Sequence, residues 1–136
     1  MLLPYFTFHY SGIPAYFLIW LIIIDHIMIR FEDFQKIDIR TGTIISAEVF
    51  EKAKIPAYQL QIDFGPLGIL RSSAQLTVNY SIQSLVGKKV IAVVNFPEKQ
   101  IANFFSQCLV LGVVPEKNDV ILLGTSDTVP DGTPIT

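Results

Sequence analysis

Residues 58–64 read YQLQIDF, and their alternation decides the fold. Tyr58, Leu60, Ile62 and Phe64 fall on one side of an extended chain, with Gln59, Gln61 and Asp63 on the other. That is the signature of a half-buried strand with one wet face. Gly65, Pro66 and Gly68 follow as a turn, and residues 69–72 pair back as the next strand. Upstream, residues 37–50 read IDIRTGTIISAEVF, rich in β-branched side chains, and predict a long strand bent at Gly42. Residues 52–57 then form a loop, because Pro56 denies a ladder hydrogen bond.

The rest of the chain extends the same pattern. Residues 73–87 lack alternation, end at Gly87 and predict one or two helical turns. Residues 89–94 form a strand, and Asn95 and Pro97 open a loop to about Asn103. Residues 107–114 are apolar after the first position, so a strand there must be covered on both faces. In so small a domain a partner subunit supplies the second cover most simply, which predicts a homodimer. Residues 120–135 add a short strand and the Pro130-Asp131-Gly132 turn, while RFEDFQKI at 30–37 spaces Phe31, Phe34 and Ile37 as a short amphipathic helix. The fold class expected is all-β: a five-stranded Greek-key barrel of the OB type, with a short N-terminal helix and a helical insertion between strands 3 and 4.

The chain has 136 residues, one domain's worth, enough to bury about two thirds of its unfolded surface. Its formal charge of −2 supplies no overall basic excess, so any nucleic-acid binding must come from a local patch. A hydrophobic fraction of 51% excludes a disordered tail. The apolar excess is terminal: no Asp, Glu, Lys or Arg precedes Asp25, whereas residues 28–136 are ordinary and near neutral. Residues 1–27 are therefore read as an apolar extension, and 28–136 as the working domain. The extension lacks the basic n-region and cleavage site of a secretory signal. A start assigned too far upstream, with Met28 the native beginning, and a single-pass membrane anchor both fit it. A membrane is a partner only if residues 1–27 are native.

Both histidines, His9 and His26, precede Met28, leaving the domain without imidazole for catalysis or zinc. Cys108 lies in the apolar stretch 107–114 and reads as a buried structural thiol rather than a nucleophile. A lone cysteine forms no intrachain disulfide, which fits a reducing cytoplasm. Gly65-Pro66-Leu67-Gly68 lacks the lysine and hydroxyl residue of a phosphate loop. No catalytic residue, metal or cofactor is expected.

Binding is better supplied. OB barrels take ligands across strands 2 and 3, flanked by the loops joining strands 1 to 2 and 4 to 5. Those places hold Lys52 and Lys54, then Gln59, Gln61 and Arg71, then Asn95 and Lys99. With Tyr58, Phe96 and Phe104 nearby, they suit phosphate contact and stacking on unpaired bases. The same residues also describe a solvated face over packed aromatics.

DIRTGTI at 38–44, SSAQLT at 72–77, VIAVVNFPEKQIANFFSQCLVLG at 90–112 and VPDGTPI at 129–135 closely resemble the CsaA family of small tRNA-binding-domain proteins. The same module is found appended to methionyl-tRNA synthetases. The resemblance covers residues 30–136 and implies an OB-fold homodimer that binds tRNA without base-by-base readout. It also implies, as alternatives, a chaperone that holds unfolded preproteins for export, or an RNA-recruiting accessory to an aminoacyl-tRNA synthetase. Carried over by position, the nucleic-acid surface maps onto Ser72, Ser73, Gln75, Asn95, Lys99 and Ser106.

Three departures matter. Gln100 follows Lys99 where a second basic residue is usual, Asn103 stands where glycine is usual, and Phe105 where a basic residue is common. Asn103 tolerates a left-handed backbone, but the missing charge predicts weaker and flatter tRNA binding. Phe105, beside Phe104, enlarges an apolar patch suited to peptide.

Overall fold

The computed structural model describes residues 15–136, so the reading of residues 1–14, including His9, lies outside the described residues. The described chain divides at Lys36 and Ile37 into two compact units, each taken by itself. In the first, helix α1 (Ala15–Ile27) takes up the apolar run and α2 (Phe31–Gln35) the amphipathic segment. The Asp33 carboxylate accepts the Arg30 N–H at 3.0 Å at the start of α2, and the Phe31 and Phe34 rings lie 6.4 Å apart. Among the described residues no helix is long and apolar enough to cross a membrane.

The second unit is a nearly closed antiparallel barrel. Its strands β1 (Ile39–Val49), β2 (Tyr58–Asp63), β3 (Ile69–Ala74), β4 (Lys89–Val93) and β7 (Leu109–Val110) lie in the order β3-β2-β1-β4-β7. Helix α3 (Ile82–Leu85) is the expected insertion between β3 and β4, started by reciprocal hydrogen bonds between Ser81 and Ser84. Tyr58, Leu60, Ile62 and Phe64 all point into the core, as their alternation requires, joined by Ile44, Leu85 and Val90.

Strand β1 serves both neighbours: residues 39–43 pair with β4 and residues 43–49 with β2. The pairing with β2 shifts register at a bulge between Ile44 and Ser46. A Cβ at Gly42 would stand 2.8 Å from atoms of Ile62 and Phe64, so glycine admits the largest core side chain.

Two expectations are corrected. Residues 107–114 do not form one strand, because β7 pairs with β4 while β8 (Gly112–Val113) pairs with β9 (Ile121–Leu122). The changeover is at Leu111, whose N–H donates to the Ile91 carbonyl while its own carbonyl accepts from Leu123. The loop expected from Asn95 to Asn103 contains β5 (Lys99–Ile101), paired with β6 (Phe104–Ser106) in a tight hairpin. The left-handed residue of that hairpin is Ala102, at φ 51°, rather than Asn103.

The barrel closes where β3 meets residues 106–108. The Gln107 N–H donates to the Arg71 carbonyl at 2.8 Å, and the Arg71 N–H to the Gln107 side-chain oxygen at 3.0 Å. The tail fills the free edge of early β1: the Thr41 N–H donates to the Thr133 carbonyl, and the Ile135 N–H to the Ile39 carbonyl. The buried Thr41 hydroxyl donates to the Pro130 carbonyl, while Asp131 accepts from Thr43 at 2.7 Å and from Lys89 at 2.6 Å. Partial burial works against the Asp131 carboxylate, but those two bonds outweigh it and hold its pKa below the usual range. The DIRTG and PDGTP segments thus fasten each other.

Candidate nucleic-acid interface

The connection from β1 to β2 and the β5–β6 hairpin are welded together by a second, smaller apolar cluster. Phe50, Ala57 and Phe104 are buried in it, with Ala53 and Ile101 packed alongside, and the two phenyl rings are 5.5 Å apart. This contact sets the loop carrying Lys52 and Lys54 opposite the strand carrying Lys99.

Between them opens a cleft of about 650 Å³. Lys52, Lys54 and Lys99 line it together with Ser73, Gln75, Gln100 and Ser106, over a floor that includes Ile55, Ile101 and Leu109. Six of the eleven residues expected to contact RNA meet here. All three lysines are exposed, and among the described residues none has an ion-pair partner. A smaller cleft of about 310 Å³ shares Lys99, Ser106 and Leu109 and adds Phe96 and Pro97.

The other five expected residues stand elsewhere. Ser72 points inward, 1% exposed, and its hydroxyl donates to the Cys108 carbonyl at 3.0 Å, so this residue closes the barrel instead of facing a ligand. Asn95 lines neither cleft; its side-chain oxygen accepts the Asp38 N–H at 2.9 Å and ties the end of β4 to the start of β1. Arg71, Gln59 and Gln61 line a separate depression of about 280 Å³, with the guanidinium carbon 5.5 Å from the centre of the Phe104 ring. The expected convergence of Arg71, Asn95 and Lys99 is therefore replaced by a convergence of three lysines.

The aromatic expectations divide in the same way. Phe104 is 7% exposed and is a packing residue rather than a peptide platform. Tyr58 is buried too, its hydroxyl donating to the Tyr80 carbonyl at 2.8 Å. Phe105 and Phe96 are exposed, the latter on the wall of the smaller cleft. Gln100 and Ile101 were missed as site residues; the sign was KQI-AN-FFS itself, two short extended pieces around a two-residue turn. Cys108 is buried, which pushes its thiol up to about 12 despite a hydrogen bond with Ser72 that works the other way. It stays protonated at neutral pH, as a packing thiol does.

A small closed barrel with a lysine-lined cleft beside the loop between its first two strands belongs to the OB class of binding modules. The family described as "Putative tRNA binding domain" matches residues 39–134, and the chain belongs to it. Crystal structures of the chaperone CsaA from Bacillus anthracis and from Picrophilus torridus are both 50% identical, with TM-scores of 0.78 and 0.75. Each alignment covers 80% of this chain, and 99% and 100% of the respective CsaA chain. A methionine–tRNA ligase of Methanococcoides burtonii is 34% identical over 106 residues, 78% of this chain. The chain spans 15% of the length of that ligase.

Proposed function

We propose that the chain binds structured tRNA through its phosphate backbone, without catalysing a reaction. One observation carries the reading: three lysines, two from the loop between β1 and β2 and one from strand β5, free of carboxylate partners among the described residues, meet in one cleft of a molecule whose net charge is negative. Ser73, Gln75, Gln100 and Ser106 add hydrogen-bonding groups, which suits recognition by shape rather than by sequence. Family membership supports tRNA as the ligand class. A homodimer and a cytoplasmic setting belong to the same proposal, supported by the exposed Leu109, Val113 and Val114 and by the lone reduced thiol. The working domain in this reading is residues 28–136.

Titration of tRNA at two salt concentrations tests the site. Lys99→Glu is expected to weaken binding and to lower the slope of log K against log salt by about one unit or more. An unchanged slope would remove the cleft from the account.

A second reading has its own support. The apolar floor of Ile55, Ile101 and Leu109 continues to Phe96 and Pro97, and the 50% identical neighbours are chaperones by name. Holding extended, unfolded preproteins uses the same cleft, in which case tRNA and peptide displace each other.

A further inference from the structure

The depression that holds Arg71 is built differently from the lysine cleft. Strand register lays out its polar side chains as a grid on the outer face of the sheet. Ser46 pairs with Gln61 and Gln61 with Arg71 in one row; Glu48 pairs with Gln59 and Gln59 with Ser73 in the next. The bulge at Ile45 is what turns Ser46 and Glu48 outward into line with Gln61 and Gln59. Phe104 stands beneath the Arg71 guanidinium and fixes its place.

The charges say what fits. Glu48 and Arg71 lie on strands separated by β2 and in adjacent rows, about 12 Å apart at the backbone, and they form no ion pair with each other. A carboxylate beside the arginine repels phosphate, so this is a poor continuation of the lysine cleft. The pair instead offers donors on one wall, an acceptor on the other, and glutamine amides between them. Guanine presents the complement: O6 and N7 accept from a guanidinium, while N1–H and the 2-amino group donate to a carboxylate. Adenine, cytosine and uracil each carry donors and acceptors, but none has two adjacent donors on one edge and two adjacent acceptors on another.

We propose that this depression takes one unpaired guanine of the bound RNA, with Arg71 and Glu48 as its specificity-determining residues. The inference rests on RNA being the ligand, and adds one read base to a molecule otherwise held by its backbone.

The probe is a labelled heptamer of uridine with one central guanosine, compared with central adenosine, cytidine or inosine, titrated against the full chain at fixed salt. The guanosine oligonucleotide is expected to bind about tenfold more tightly than the adenosine one, within the range for a single bidentate base contact. Inosine, which lacks the 2-amino group, loses part of that preference, and Glu48→Gln abolishes the difference between guanosine and inosine. Lys99→Glu weakens every oligonucleotide alike and leaves their ratios unchanged. Equal binding of guanosine and adenosine, or a cytidine preference, overturns the guanine assignment while the lysine cleft stands. A guanine preference that survives Lys99→Glu with no loss of affinity supports the guanine pocket and removes the cleft instead. The inosine comparison needs no protein variant, so it decides the matter even if Glu48→Gln disturbs the fold.

Discussion

Cys108 closes the barrel with its neighbours rather than with chemistry of its own. Its thiol lies against the Arg71 carbonyl, its backbone carbonyl accepts from Ser72, and burial keeps it neutral. The folded thiol titrates at about 12, against an ordinary value of 9.0, so the unfolded chain gives up that proton first as pH rises. Its contribution to stability is complete below the ordinary value and is lost progressively toward the folded one. Urea denaturation of wild type and Cys108→Ala at neutral pH and near pH 10.5 should show this as a larger alkaline loss in the wild type. Equal losses would mean that the thiol is not held in its neutral form by the fold. Neighbouring Ser72 carries a lesson about reading. In β3, Arg71 must face water, so strand alternation turns Ser72 inward with Leu70 and Ala74; the family motif pointed to it, and parity argued against it.

At the scale of elements, the β5–β6 hairpin holds the one expensive backbone conformation in the site. Ala102 at positive φ bears a steric cost that glycine does not, of about 1–2 kcal/mol before glycine's own entropy is set against it. Ala102→Gly is therefore expected to stabilise the domain by about 0.5–1 kcal/mol, read as a higher urea midpoint with unchanged slope. A lower midpoint would show that the turn is not strained. Strand β2 was legible because one face is buried and one is wet, and the helical insertion because alternation stops after β3. The break at Leu111 was not legible. A run such as LVLGVV carries apolarity at every position, which asks for cover but does not say which strand provides it. The hairpin at 99–106 was hidden by the proline ahead of it, and the pairing of the tail with β1 joins residues some ninety apart through backbone bonds that leave little trace in side-chain pattern.

The whole molecule sets a local cationic site within an anionic chain, and that combination was legible only in part. Composition excluded a basic surface, and the loops named the lysines, but which of Arg71, Asn95 and Lys99 share a cleft depends on the weld between Phe50 and Phe104. The proposed homodimer belongs at this scale. Leu109, Val113 and Val114 are about half exposed on a chain of 15.2 kDa, and covering them is the gain from pairing. Sedimentation equilibrium is expected to give twice the chain mass, and Val113→Asp to shift it toward the monomer; a monomer in the wild type would contradict the pairing.

The claim beneath all of this is that Lys52, Lys54 and Lys99 neutralise phosphates together. A tRNA titration across salt concentrations with wild type and a variant carrying Lys52→Gln, Lys54→Gln and Lys99→Gln measures it directly. Three lost phosphate contacts should flatten the log–log slope by about two to three units, whereas a slope the same in both proteins would contradict the account.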